Sequence, residues 1–153
     1  MIHRWAFPVR SDAGWSHLRS CCDGPAPSLS GLFFSTALLL ASRSETRRGE
    51  WKRFQKTGFN IREMGSVAYK LALVSADVAD ATFTLTPKHE WDVAGGAALV
   101  ASAGGFVSTL QNSPLRCNKR SPLLSGLLAC GPFLRHELLA LVNEHVPANR
   151  EST

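Results

Sequence analysis

Asp92 is the carboxylate whose setting carries the most information. It stands in Glu90-Trp91-Asp92-Val93-Ala94-Gly95-Gly96-Ala97-Ala98-Leu99-Val100-Ala101-Ser102-Ala103-Gly104-Gly105. Ala94, Ala97, Ala98 and Ala101 recur at helical spacing, and Gly104-Gly105 supplies a stop. The pattern predicts a helix that is small and apolar apart from an acidic first turn, where free N–H groups and the helix dipole favour negative charge. Spacing alone favours a capping role for Asp92. A second helix start lies at Gly65-Ser66-Val67, with Ser66 as N-cap of a helix over 67–75. Lys70 and Lys88 read as solvated lysines, Glu90 as exposed and His89 as polar surface. Gly-x-Ser-x-Gly and phosphate-loop patterns are absent, so no nucleophile elbow or nucleotide cradle competes. Gly95-Gly96 reads as a close packing site.

Elements able to position these residues begin near Ala37. Apolar Ala37 to Ser42 predicts a strand, Gly49 to Lys56 a short charged helix, and Asn60 to Met64 a second strand. The helix over 67–75 carries Val67, Leu71 and Val74 on one face. Ala81 to Thr86 alternates Phe83 and Leu85 with threonines, as a strand does. After the Asp92 helix, Phe106 to Thr109 and Leu127 to Ala129 are short strands. Pro132 opens a last amphipathic helix with Leu134, Leu138, Leu141 and Val142 on one face, closed by Pro147. The alternation implies an α/β layered fold. Residues 1–34 show no period and read as an irregular leader, with 148–153 as a frayed tail.

The chain has 153 residues and a net charge of +5, with 44% hydrophobic residues, enough for one domain with its own core. Positive charge gathers in Arg43 to Lys56 and Arg116 to Arg120 and reads as solvated surface. A nucleic-acid-binding role is disfavoured, because no aromatic residues interleave those cations to stack bases. Cys21, Cys22, Cys117 and Cys130 form no C-x-x-C pair, and reduced thiols in a cytoplasmic protein account for them. Leu32 to Ala41 is shorter than the ~20 residues of a membrane span, and no membrane partner is expected.

Trp91-Asp92-x-Ala94-Gly95-Gly96 followed by Ala103-Gly104-Gly105 resembles the C-terminal motif of the inositol monophosphatase family. The resemblance continues upstream through Gly65-Ser66-Val67-Ala68-Tyr69-Lys70-Leu71, Ala79-Asp80-Ala81 and Leu38-Leu39-Leu40-Ala41-Ser42-Arg43-Ser44. Downstream it reaches Leu127-Leu128-Ala129-Cys130-Gly131. It covers about Ser35 to Val146. Pro87-x-x-Glu90-Trp91-Asp92 looks more like the 3′(2′),5′-bisphosphate nucleotidase branch than the inositol branch. The resemblance implies the C-terminal half of a layered α/β/α/β/α sandwich over 35–147. It implies Mg²⁺-dependent phosphomonoester hydrolysis of a small sugar phosphate or 3′-phosphonucleotide.

The same resemblance makes Asp92 one ligand of a multi-metal Mg²⁺ site and sets Gly65, Ser66 and Val67 against the substrate. Ser42 and Arg43 match a substrate-side Ser-Arg-Ser, and Lys70 and Lys88 could approach a second phosphate. The glutamate that contacts inositol hydroxyls in the inositol branch falls near Leu85 here. The family's acidic pair and its Asp-Pro-x-Asp-Gly-Thr loop have no counterpart, since the chain's Asp-Gly, Asp23-Gly24, sits in Cys-Cys-Asp-Gly-Pro-Ala-Pro. The chain therefore reads as a truncated form, about half a family member. The alternative is a catalytically inactive remnant or interaction subunit, with self-association as the expected state.

Overall fold

The computed structural model of the protein describes residues 36–146. The expected leader over 1–34, the tail from 148, Cys21 and Cys22 lie outside the described residues. β1 (Leu38–Ser42) pairs in parallel with β2 (Asn60–Met64) on one side and with β3 (Ala81–Thr84) on the other. A short antiparallel ribbon joins β4 (Lys88–His89) to β6 (Leu123–Leu124). β5 (Phe106–Ser108) runs antiparallel to β7 (Leu127–Cys130), which in turn runs antiparallel to β3. The main sheet is thus mixed, in the order β2-β1-β3-β7-β5.

Among the described residues four helices cover it: α1 (Arg43–Arg47), α2 (Val67–Ser75), α3 (Glu90–Ser102) and α4 (Arg135–His145). The described residues also form two 3₁₀ turns, Glu50–Phe54 and Pro132–Leu134.

Both faces of the sheet are covered because successive side chains on a strand point to opposite sides. Leu39, Ala41, Phe83, Leu128 and Cys130 face one way and pack with Trp51 and Phe54 and with Leu138 and Val142 of α4. Leu40, Leu127 and Ala129 face the other way, onto Leu71 and Val74 of α2 and Val93 and Val100 of α3. This is the α/β layering that the strand–helix alternation implies. At the sheet's start the Asp80 carboxylate accepts the Leu38 N–H at 2.6 Å, while the Leu38 carbonyl accepts the Asp80 N–H at 3.0 Å. Ala79-Asp80-Ala81 is therefore a bracket between β1 and β3.

Several expectations are revised. The charged helix over 49–56 is instead the 3₁₀ turn Glu50–Phe54, entered through Gly49 at φ +80°. Two of its residues are core: Trp51 stacks on Phe83 at 4.4 Å, and Phe54 meets Phe83 edge-on at 5.0 Å. The strand over 81–86 stops at Thr84, and its threonines are as buried as Phe83. Helix α4 starts at Arg135, after a 3₁₀ turn opened by Pro132.

Helices α2 and α3 approach closely at Gly96, where an added Cβ would lie 2.6 Å from Leu71 Cβ. Gly104 ends α3 in the left-handed region, at φ +83°. None of the described helices is long and apolar enough to cross a membrane.

Candidate functional site

The carboxyl ends of β1 and β2 face the starts of α1 and α2. In sheets with parallel strands, ligands bind in the crevice at such ends. A cleft of about 300 Å³ opens there. The β1–α1 junction contributes Ser42, Arg43, Ser44 and Arg47, and the β2–α2 junction contributes Met64, Gly65, Ser66 and Val67. Lys70 of α2 and Lys88 of β4 complete the lining. Four cationic side chains thus share the cleft with two short polar turns. Gly65, Ser66, Val67, Ser42 and Arg43, dispersed over the sequence, are gathered here.

Ser66 sits at φ +56°, in the left-handed region, and its Oγ accepts the Tyr69 N–H at 3.3 Å. A non-glycine residue in this region costs roughly 1–3 kcal/mol and persists only where its surroundings over-determine it. Here the helix start does so. Ser42 and Ser44 share a hydroxyl–hydroxyl bond of 3.1 Å at the cleft wall.

Lys70 is not the solvated lysine that its type suggests: it is only 2% exposed. It lies three residues after Val67 and four before Val74, so helical spacing puts it on the buried face of α2. No hydrogen-bond acceptor holds its ammonium among the described residues. Burial lowers its pKa to about 8; the Glu45 carboxylate opposes that shift and Lys88 adds to it. An ammonium without an acceptor at the base of a cationic cleft is equipped to meet an anion.

Beneath the cleft lies Glu45, a residue that the sequence reading passed over. It is fully buried in α1. One oxygen accepts the Trp51 Nε1–H at 3.0 Å. The other accepts the Thr84 hydroxyl, the N–H groups of Leu85 at 3.1 Å and Thr86 at 3.2 Å, and the Thr86 hydroxyl at 2.8 Å. Burial works against its ionisation, but the bonds from Thr84, Trp51 and Thr86 outweigh burial and hold the carboxyl below the usual carboxylate range. The usable signal in the sequence was the pair of threonines flanking Leu85, which can donate to a carboxylate that helical spacing turns inward.

Asp92 lies elsewhere. It occupies the first turn of α3, is exposed, and does not line the cleft. The N-cap of α3 is His89, which makes no side-chain capping bond, and Glu90 and Asp92 are the acidic residues of the first turn. His89 stacks on Trp91 at 4.3 Å. Glu90 corrects the expectation of exposure: it is buried, and its carboxylate accepts the N–H groups of Asn118 at 2.5 Å and Lys119 at 3.4 Å. The loop before β6 is thereby fastened to the start of α3.

Among the described residues, no group of three His, Cys, Asp or Glu side chains could hold a metal ion. Mg²⁺ takes near-octahedral oxygen coordination, and Asp92 supplies one carboxylate. The described residues do not by themselves fit a Mg²⁺ site.

The sequence model of the inositol monophosphatase family matches residues 20–149. The chain is 35% identical to a 3′-phosphoadenosine 5′-phosphate phosphatase of Mycobacterium leprae (strain TN) over 91 residues, which are 59% of this chain and 33% of that protein. It is 32% identical to inositol monophosphatase 1 of Sus scrofa over 78 residues, 51% of this chain and 28% of that one. The fold is similar to inositol monophosphatase II from Staphylococcus aureus MSSA476, with a TM-score of 0.64 at 19% identity over 78% of this chain and 46% of that chain. It is also similar to CysQ from Bacteroides thetaiotaomicron, with a TM-score of 0.51 at 29% identity over 62% and 37% of the two chains. The matches span about a third of these curated relatives and less than half of these solved chains.

Proposed function

The chain belongs to the inositol monophosphatase family, and we propose that it is the substrate-binding part of a phosphatase for small phosphorylated metabolites, 3′-phosphonucleotides foremost. The observation that carries this reading is Lys70, a buried lysine that lines the cleft together with Arg43, Arg47 and Lys88 and whose ammonium has no hydrogen-bond acceptor among the described residues. A ligand with two phosphates satisfies such a cleft better than one with a single phosphate, because each anion can meet separate cations. The N–H groups at the start of α2 add donors beside Gly65, Ser66 and Val67.

Inositol is less well served. Leu85, near the position where the inositol branch has its ring-contacting glutamate, is buried, and its N–H is taken by Glu45. The resemblance of 35% to a protein named for 3′-phosphoadenosine 5′-phosphate supports the same preference.

Hydrolysis by the described residues alone is not part of the proposal. Mg²⁺ at Asp92 requires further oxygen ligands, which the described residues do not bring together. The second reading, a non-catalytic subunit of the same fold, is favoured by this lack and by the apolar outer face of α3, where Trp91 is 67% and Leu99 54% exposed. Self-association through that face and a reducing, cytoplasmic setting for the free thiols of Cys117 and Cys130 complete the proposal.

Titration calorimetry with 3′-phosphoadenosine 5′-phosphate, inositol 1-phosphate and inorganic phosphate tests it. The expected result is tightest binding of the nucleotide, weakened about tenfold or more in Lys70→Met through loss of a charge-assisted contact. Equal weak binding of all three, unchanged in the variant, defeats it. Turnover that vanishes with a chelator defeats the statement that one carboxylate is not enough.

A further inference from the structure

We infer that Glu45 is a positioning residue of the anion cleft: its buried carboxylate orients Thr86 so that Thr86 holds Lys88 at the cleft. The inference deepens the reading of the cleft as a phosphate site and rests on it.

The geometry is a relay. Thr86 donates its hydroxyl to Glu45 at 2.8 Å, which turns the oxygen lone pairs away from the carboxylate. Lys88 Nζ donates to that same oxygen at 2.8 Å. A hydroxyl has one proton, so donation to Glu45 is what leaves Thr86 free to accept from an ammonium. Without the carboxylate, Thr86 can turn its proton toward Lys88, and the anchor becomes a repulsion between two donors. Glu45 thereby holds a cation at the cleft rim although it touches no ligand itself. Its four bonds to 84–86 also fix the chain that leads from β3 to Lys88.

The second arm is electrostatic. Glu45 of α1 attracts the Lys70 ammonium and Lys88 of β4 repels it, while Arg43 and Arg47 of α1 line the same cleft. Glu45 is therefore the acidic group that works against burial and against the like charge of Lys88 at Lys70. It is also spent on internal donors, so it offers no free acceptor that would neutralise the cleft. The arrangement keeps Lys70 protonated near neutral pH while leaving its donors for a ligand.

The obvious variant, Glu45→Gln, puts an amide NH₂ where an oxygen now accepts the Trp51 Nε1–H. The cleaner comparison sets Glu45→Gln/Trp51→Phe against Trp51→Phe alone, which removes the opposing donor from both. Reductive methylation with ¹³C-formaldehyde makes each lysine visible by NMR, assigned through Lys70→Arg and Lys88→Arg, and its titration is read without ligand. Far-ultraviolet circular dichroism checks the fold.

The expected result is a Lys70 titration about one pH unit or more lower in the double variant than in Trp51→Phe. The Lys88 resonance should lose its protected, single environment. Binding of 3′-phosphoadenosine 5′-phosphate should then fail at correspondingly lower pH, with at most a few-fold change on the acid side. Glu45→Asp, charged but shorter, should restore the Lys70 titration more fully than the Lys88 environment. Identical Lys70 and Lys88 behaviour in both folded proteins overturns the inference and leaves Glu45 a purely structural residue. A shifted Lys70 titration in a protein that binds no bisphosphate at any pH sinks the phosphate reading instead, and with it Glu45's role toward a ligand.

Discussion

Lys70 and Glu45 show how two buried ionisable side chains can serve opposite ends within one small volume. Lys70 carries a depressed pKa of about 8, against 10.5 for a free lysine. Between those values the unfolded chain binds the extra proton, so stability rises with pH through that window and falls as pH drops toward 8. At neutral pH the burial of this ammonium costs on the order of 3 kcal/mol, at about 1.4 kcal/mol per pKa unit. Lys70→Met should therefore raise stability at pH 7 by roughly 1–3 kcal/mol while it weakens anion binding, a trade seen where function requires a strained site. Urea unfolding beside calorimetry measures both sides. Glu45 behaves inversely. Its folded carboxyl is held below the usual range, so its contribution is complete above the unfolded value and is lost as pH falls through the folded one. Glu45→Ala strands the Trp51, Thr84 and Thr86 donors and should cost about 3–5 kcal/mol, read as an earlier urea midpoint.

At the scale of elements, the packing of α2 on α3 turns on adjacent glycines with opposite surroundings. Gly96 faces Leu71, where a Cβ would meet side-chain carbons at 2.6 and 2.7 Å. Gly95, one residue earlier on the same helix, has nothing within 4 Å of the corresponding point. Gly96→Ala should destabilise by about 1–3 kcal/mol through overpacking. Gly95→Ala should stabilise by up to about 1 kcal/mol through helix propensity. Thermal melts of the pair separate helix propensity from interhelical fit, and equal shifts of one sign would refute the packing drawn here. The pairing of Gly95-Gly96 was readable as a close contact in the sequence. Which of the two makes it was decided by the rotation of α3 about its axis, set by Val93 and Val100 entering the core.

For the whole molecule, the outward side of α3 is the feature with consequences. Trp91 and Leu99 are exposed on α3, and Tyr69 on α2 is 53% exposed. A helix that is apolar on most sides is ordinarily buried on most sides. The chain should therefore self-associate at micromolar concentration, and Leu99→Lys with Trp91→Ser should shift it toward monomer. Light scattering after size-exclusion chromatography decides this. A monodisperse wild-type monomer with a sharp transition at high temperature would show that this face needs no cover. The same apolar face presents Asp92 to solvent rather than to the cationic cleft. Mg²⁺-dependent turnover by the isolated chain is accordingly expected to be negligible in an assay with 3′-phosphoadenosine 5′-phosphate.

Local pattern alone determined the layered α/β class, the bounds of β2 and α2, and the stop of α3 at Gly104, because propensity, caps and glycine conformation act over a few residues. The family was readable for the same reason, since Trp91-Asp92 and Gly65-Ser66 belong to contiguous motifs. What the sequence left undecided depended on contacts between distant segments. Trp51 and Phe54 look like a charged helix's neighbours until Phe83 arrives from 29 or more residues away to cover them. Glu90 looks exposed until the N–H groups of Asn118 and Lys119 reach it. Glu45 and Lys70 look like two more surface charges in a basic chain. Only the meeting of α1 with the residues after β3, 39 to 41 positions along the chain, turns Glu45 into a hydrogen-bonded hub under a cationic cleft. A charge can be buried only where donors or counter-charges meet it, and their meeting is a property of the tertiary fold.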